Sequence, residues 1–147
     1  MARIVSVNIS EKKGTFKYPA AEGRLVLGFG LEGDAHGGPW HRQVSMLARE
    51  SIDRMAALGA EGLTPGKFAE NITTEGIALH TLPVGARLRL GECLVEVTQI
   101  GKECHNDCAI KKAVGKCVMP TEGIFAVVVK EGTVRAGDEI EILEAEA

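Results

Sequence analysis

The chain has 147 residues, 45% of them hydrophobic and 25% charged, with a formal net charge of −3. These values exclude a disordered chain, which lacks the apolar residues to build a core. They also argue against nucleic-acid binding, which leaves a basic footprint. The longest apolar runs, such as residues 124–129, reach strand length only, far below the roughly 20 residues a membrane-spanning helix needs.

In chain order, residues 4–9 alternate as a first strand, without the apolar core behind a basic head that marks a secretory leader. The expected location is therefore the cytoplasm. There the four cysteines (Cys93, Cys104, Cys108, Cys117) suit reactive thiols or metal ligands better than structural disulfides. Residues 30–44 follow as a glycine-dense loop carrying Asp34, His36, His41 and Arg42. Open backbone amides, switchable imidazoles and a bidentate guanidinium suit an anion such as phosphate or carboxylate. The competing reading is a tight loop whose histidines bond only to backbone. Residues 45–58 have helical rhythm, with Ser45 as N-cap and Gly59 as the stop.

Glu70 and Asn71, followed by Thr73 and Thr74, offer several hydrogen-bonding side chains at the start of a strand, or else caps for a local turn. Residues 87–90 and 93–97 read as a hairpin with Leu88 and Leu90 on one face and Arg87 and Arg89 on the other. Cys93, inside that alternation, reads as a small buried hydrophobe. Residues 124–129 suit a strand buried on both faces, followed by strands near 133–135 and 139–143, and a second short helix is expected at 109–114. Many short strands around one main helix predict a mostly-β fold with a closed or nearly closed sheet, spanning residues 1–147 as one domain.

The stretch from Gly101 to Ile110 carries Cys104 and Cys108, with Cys117 beyond and His105 between. Lys102, Lys111, Lys112 and Lys116 surround these thiols, and nearby cations favour thiolate over thiol. Cys104 and Cys108 are thus candidates for a nucleophilic or sulfur-carrying residue. Zinc held by Cys104, Cys108, Cys117 and His105 competes with this, although the three-residue gap between the first two cysteines and the lack of a second tight pair weaken it.

Together these stretches resemble a MOSC domain, the module named for the C-terminal part of molybdenum-cofactor sulfurases. Gly33-Asp34-Ala35-His36-Gly37, with His41-Arg42-Gln43-Val44 behind it, is similar to the family's first motif. Phe68-Ala69-Glu70-Asn71-Ile72-Thr73 is similar to its Phe-Gly-Glu-Asn-Leu-Thr motif, with Ala69 in place of the usual glycine. Gln99 to Cys104 matches the region of its cysteine, and residues 82–91, 123–126 and 134–138 match flanking strands. The resemblance runs in order over nearly the whole chain.

It implies a β-barrel of the pyruvate-kinase-barrel-like kind with one main helix and short extra helices, acting as a sulfur carrier or molybdenum-cofactor-binding protein. Cys104 or Cys108 would bear persulfide or ligate metal, with Cys117 as a further metal ligand. Asp34, His36, His41, Arg42, Glu70 and Asn71 would bind the molybdopterin phosphate and pterin. A molybdenum-dependent reductase of N-hydroxylated compounds and a zinc-stabilised binding module are the alternatives. A chain of 147 residues has no room for a pyridoxal-phosphate sulfurase domain. Sulfur or cofactor is therefore expected from a partner, a cysteine desulfurase or a cofactor-synthesis enzyme.

Overall fold

The computed structural model describes residues 2–12, 17–57, 64–101 and 122–143. Among the described residues there are eleven strands, the α-helix α1 and a short 3-10 turn. They are β1 (Arg3–Ile9), β2 (Tyr18–Ala20), β3 (Glu22–Val26), β4 (Gly30–Leu31), β5 (Val44–Ala48), β6 (Ile72–Glu75), β7 (Arg87–Leu90), β8 (Cys93–Ile100), β9 (Ile124–Lys130), β10 (Gly132–Arg135) and β11 (Ile140–Leu143). Helix α1 (Arg49–Ala57) joins β5 to β6.

Eight strands form one sheet in the order β11-β7-β8-β9-β5-β6-β1-β2, and β10-β3-β4 form a second. All pairings are antiparallel except β5 with β6. A parallel pair cannot be joined by a tight hairpin, and α1 supplies the crossover. One apolar core lies between the sheets: Leu25, Leu31 and Val134 from the small sheet pack with Ile4, Val7, Met46, Leu88, Val95 and Ala126 from the large one.

The alternation in β7 and β8 is as the sequence predicts. Leu88 and Leu90 are buried opposite Cys93 and Val95, while Arg89 faces water. Burial pushes the Cys93 thiol up to about 11, with Glu92 and Asp138 adding to the effect, so this cysteine is an inert core residue.

Two expectations are corrected. The mostly-β character holds, but no sheet closes into a barrel. The large sheet keeps two edges, β11 and β2. Among the described residues, β1 meets the segment leading into β11 through an isolated bridge, Arg3 with Glu139, supported by backbone bonds between residues 2–4 and 137–140. Full closure would need β11 to pair along its length with a second strand, whereas it pairs only with β7.

The expected helix at 45–58 begins at Arg49. Residues Val44–Ala48 are instead a strand, all five buried and hydrogen-bonded to β6 on one side and β9 on the other. Two flanking ladders satisfy its backbone and override the local helical rhythm. Ser45 is consequently not an N-cap. The proposed stop at Gly59 and the helix at 109–114 lie outside the described residues.

Candidate functional site

Strand β1 runs antiparallel to β6, and β5 runs parallel to it. The C-terminal end of β1 and the N-terminal ends of β5 and β6 therefore meet at one end of the sheet, where a buried polar network forms. Asn8 is its hub: its Nδ2 donates to Glu70 O (3.1 Å) and Thr73 Oγ1 (3.0 Å), and its Oδ1 accepts from Ser6 Oγ (2.7 Å). Asn71 Oδ1 accepts from Ser45 N at 2.9 Å and from Ser45 Oγ at 3.1 Å, and Asn71 Nδ2 donates to Asn8 O at 3.3 Å.

Glu70 is wholly buried. Its carboxyl accepts from Phe68 N (3.2 Å) and Thr73 Oγ1 (2.8 Å). Burial raises its pKa above the ordinary carboxylate value, against the opposing effect of those bonds. The two residues of the Glu-Asn motif thus face inward and tie β1, β5 and β6 together.

A second cluster centres on Asp34, just beyond β4. Its Oδ1 accepts from Lys17 Nζ at 2.8 Å and Ser10 N at 3.1 Å, and its Oδ2 accepts from His36 N at 3.1 Å. The Lys17 and Asp34 side chains are both fully buried. Burial acts to raise the Asp34 pKa, but the bond and charge of Lys17, the Ser10 amide and the Asn71 side chain outweigh it and hold the carboxyl below its usual value. Lys17 Nζ also lies 2.9 Å from His36 Nδ1.

The segment holding Lys17 is seated by a backbone bond from Lys17 N to Gly66 O (2.8 Å). Gly66 has φ +88, and a Cβ there would lie 2.2 Å from Lys17 O. Only glycine fits this crossing.

The third cluster is at the surface. Trp40 Nε1 donates to His36 O (2.7 Å), and its ring meets His41 edge-on at 6.0 Å. Gln99 Oε1, near the end of β8, accepts from Arg42 Nε at 3.1 Å and lies 2.8 Å from His41 Nε2. Gln99 Nε2 donates to Gly101 O at 2.8 Å. The Arg42 guanidinium covers the Phe125 ring at 5.1 Å, a cation–π contact. Thr98 Oγ1 donates to His41 O.

The structure therefore brings together Asp34 with His36, His41 with Arg42, and Glu70 with Asn71. Cys104, Cys108 and Cys117 lie outside the described residues. Among the described residues there is no cluster of His, Cys, Asp or Glu able to hold a metal ion, and no helix long and apolar enough to cross a membrane. Sequence reasoning missed Lys17, Asn8 and Ser45 as site residues, and Gln99 entered only as part of a motif. A lone lysine seventeen positions before its partner carries no periodic signal.

The MOSC domain pattern matches residues 32–141, and the chain belongs to that family. It is 28% identical over 141 residues to the YflK protein of Bacillus subtilis, a match covering 88% of this chain and 63% of YflK. This chain thus spans less than two thirds of that relative. Its fold is similar to that of the YuaD protein of Bacillus subtilis (TM-score 0.78, 19% identity, 97% of this chain and 96% of that one). It is also similar to YiiM of Geobacillus stearothermophilus (TM-score 0.77, 21% identity, 98% and 76%) and YiiM of Escherichia coli (TM-score 0.68, 22% identity, 99% and 71%).

Proposed function

We propose that this MOSC module is a molybdenum-cofactor-related sulfur carrier, with Cys104 or Cys108 bearing the sulfur and the loop at 34–44 holding an anionic ligand group. The observation that carries the reading is the position of Gln99. One side chain holds Arg42 and His41 through its carbonyl and reaches Gly101 O through its amide, and Cys104 lies three residues further on. The cationic loop and the thiol-bearing segment therefore start from one point.

Loading is a thiol–persulfide exchange. The Cys104 or Cys108 thiolate attacks the outer sulfur of a donor persulfide, the donor S–S bond breaks, and the donor leaves as a thiolate. The lysines flanking these cysteines favour the attacking thiolate. A cysteine desulfurase is the class of partner that supplies such a persulfide.

The described residues fit the anionic end of molybdopterin. Arg42 is fixed by Nε and its ring contact, while among the described residues its Nη atoms have no hydrogen-bond partner. Bound here, the cofactor would supply a metal–sulfur centre whose protein thiolate comes from residues beyond Gly101. Arg42, His41 and His36 would contact the phosphate, with Glu70 and Asn71 holding the strands behind them.

Intact-mass analysis after exposure to glutathione persulfide tests the reading. A reversible gain of one sulfur is expected, abolished by Cys104→Ser with Cys108→Ser. A gain unchanged in that double variant sinks it.

A further inference from the structure

Helix α1 packs against β5 and β6. A cavity of about 320 Å³ opens between the helix, Val5 of β1, Thr73 of β6 and the loop at 64–65. That is the small end of ligand pockets, which run from roughly 300 to 1,000 Å³. Arg49, Ile52 and Asp53 line it from α1, the i, i+3, i+4 spacing of one helix face. Another flank of the helix is engaged elsewhere, where Ser51 and Arg54 both bond Glu122.

The two charges at this cavity are open. Arg49 Nη1 lies 3.7 Å from Glu75 Oε2, beyond hydrogen-bond reach, and the other oxygen of Glu75 accepts from Arg3. Among the described residues Arg49 makes no hydrogen bond, and Asp53 has neither a hydrogen bond nor an ion pair. Nor do the two pair with each other, although residues four apart on a helix are neighbours. Helix stability does not account for them. A cation in the first turn opposes the helix dipole, and basic before acidic is the weaker order at this spacing.

The rest of the lining is largely apolar. Ile52 is buried, Val5 and Pro65 are half-buried, and Thr73 commits its only donor to Glu70 at 2.8 Å. A solvated aspartate on a helix is ordinary. An open guanidinium beside it, over an apolar hollow, is not explained by solvation alone.

We propose that this cavity binds a free α-amino acid with an apolar side chain. A ligand with a carboxylate and an ammonium on one carbon matches two opposite charges set about 5–6 Å apart at Cβ. Arg49 takes the carboxylate through paired N–H donors. Asp53 accepts from the ammonium, and the side chain rests on Val5, Ile52 and Pro65. A simple anion meets Asp53 as a like charge, and a simple amine meets Arg49, so only a zwitterion satisfies both. The site uses neither the loop at 34–44 nor the cysteines and stands apart from the sulfur-carrier reading.

The test is titration of 15N-labelled protein with L-valine and L-leucine, followed by 1H–15N correlation spectra. A saturable response is expected, centred on the amides of Ile52, Thr64 and Thr73. Two leucine analogues lack one charge each: 4-methylpentanoate has no ammonium, and 3-methylbutylamine has no carboxylate. Each should bind roughly 10- to 100-fold more weakly than leucine, as loss of a hydrogen bond to a charged group implies. Arg49→Gln and Asp53→Asn alter exposed side chains, so both variants should keep the wild-type spectrum, and each should weaken leucine by a similar factor. Absence of a saturable response to either amino acid overturns the site. Equal binding of leucine and either analogue overturns the zwitterion, and unchanged affinity in both variants overturns the location.

Discussion

Lys17 and Asp34 form an ion pair at 2.8 Å with neither side chain exposed, linking the start of β2 to the turn after β4. Removing one partner leaves a buried charge uncompensated, which costs about 3–5 kcal/mol. Lys17→Met and Asp34→Asn are each expected to lose that much in urea unfolding, with a double variant losing far less than the sum. The Asp34 carboxyl is held below 3.8 in the folded protein. The unfolded chain therefore binds the extra proton first as pH falls. The contribution is complete above the unfolded value and disappears as pH drops through the folded one, so acid unfolding should shift in Asp34→Asn.

Ala69 has φ +64, the left-handed region where a Cβ costs roughly 1–2 kcal/mol. It stands where the MOSC motif ordinarily has glycine, immediately before Glu70. Ala69→Gly is expected to stabilise the protein by about 1 kcal/mol, less the entropy that glycine loses on folding. Ala69→Val, with a branched Cβ, should destabilise it. Paired denaturation curves check both, and an unchanged midpoint in Ala69→Gly would remove strain as the explanation.

What was legible in the sequence follows from how local each signal is. Strands β1, β7, β8 and β9 could be read because one or both faces are buried and the alternation or apolar run records it. Strand β5 could not. Its five residues are all buried, so no polar face marks a period of two, and Leu47 and Ala48 fit the helical pattern that continues into Ile52 and Met55. Strands β2 and β4, of three and two residues, are too short to show any period. The Asp34-His36 and Glu70-Asn71 pairs were legible through motif resemblance. Their partners Lys17, Asn8 and Ser45 come from distant segments that only the sheet topology brings together.

Glu70 behaves oppositely to Asp34. Its pKa is raised above 4.5 by burial, so the folded protein keeps a proton that the unfolded chain releases. By linkage, stability is fullest below the unfolded value and declines as pH rises toward the folded one. Glu70→Gln keeps an acceptor for Phe68 N but replaces the oxygen that accepts from Thr73 Oγ1 with an amide donor, while removing the titration. The variant is expected to gain on the wild type progressively as pH rises from the ordinary carboxylate value into the neutral range, read as denaturant midpoints. A constant difference across that range would show that Glu70 does not titrate with folding.

Gln99 offers the sharpest functional variant because it holds Arg42 and His41 without contacting the ligand itself in the proposed site. In Gln99→Ala, Arg42 keeps its charge and its place over Phe125 (5.1 Å) but loses the acceptor that sets its angle. Restoring order on binding then costs side-chain entropy, about 0.5–1.5 kcal/mol per immobilised residue. Phosphate affinity should fall roughly 3- to 10-fold by calorimetry. Arg42→Ala should lose more, since an anion contact to a guanidinium is worth about 1.5–3 kcal/mol. Arg42→Lys should recover only part, because a lysine cannot be fixed by one nitrogen while binding with others. Equal affinity in Gln99→Ala and wild type would mean that Arg42 needs no orientation from β8, and the link between the cationic loop and the cysteine segment would carry no binding role.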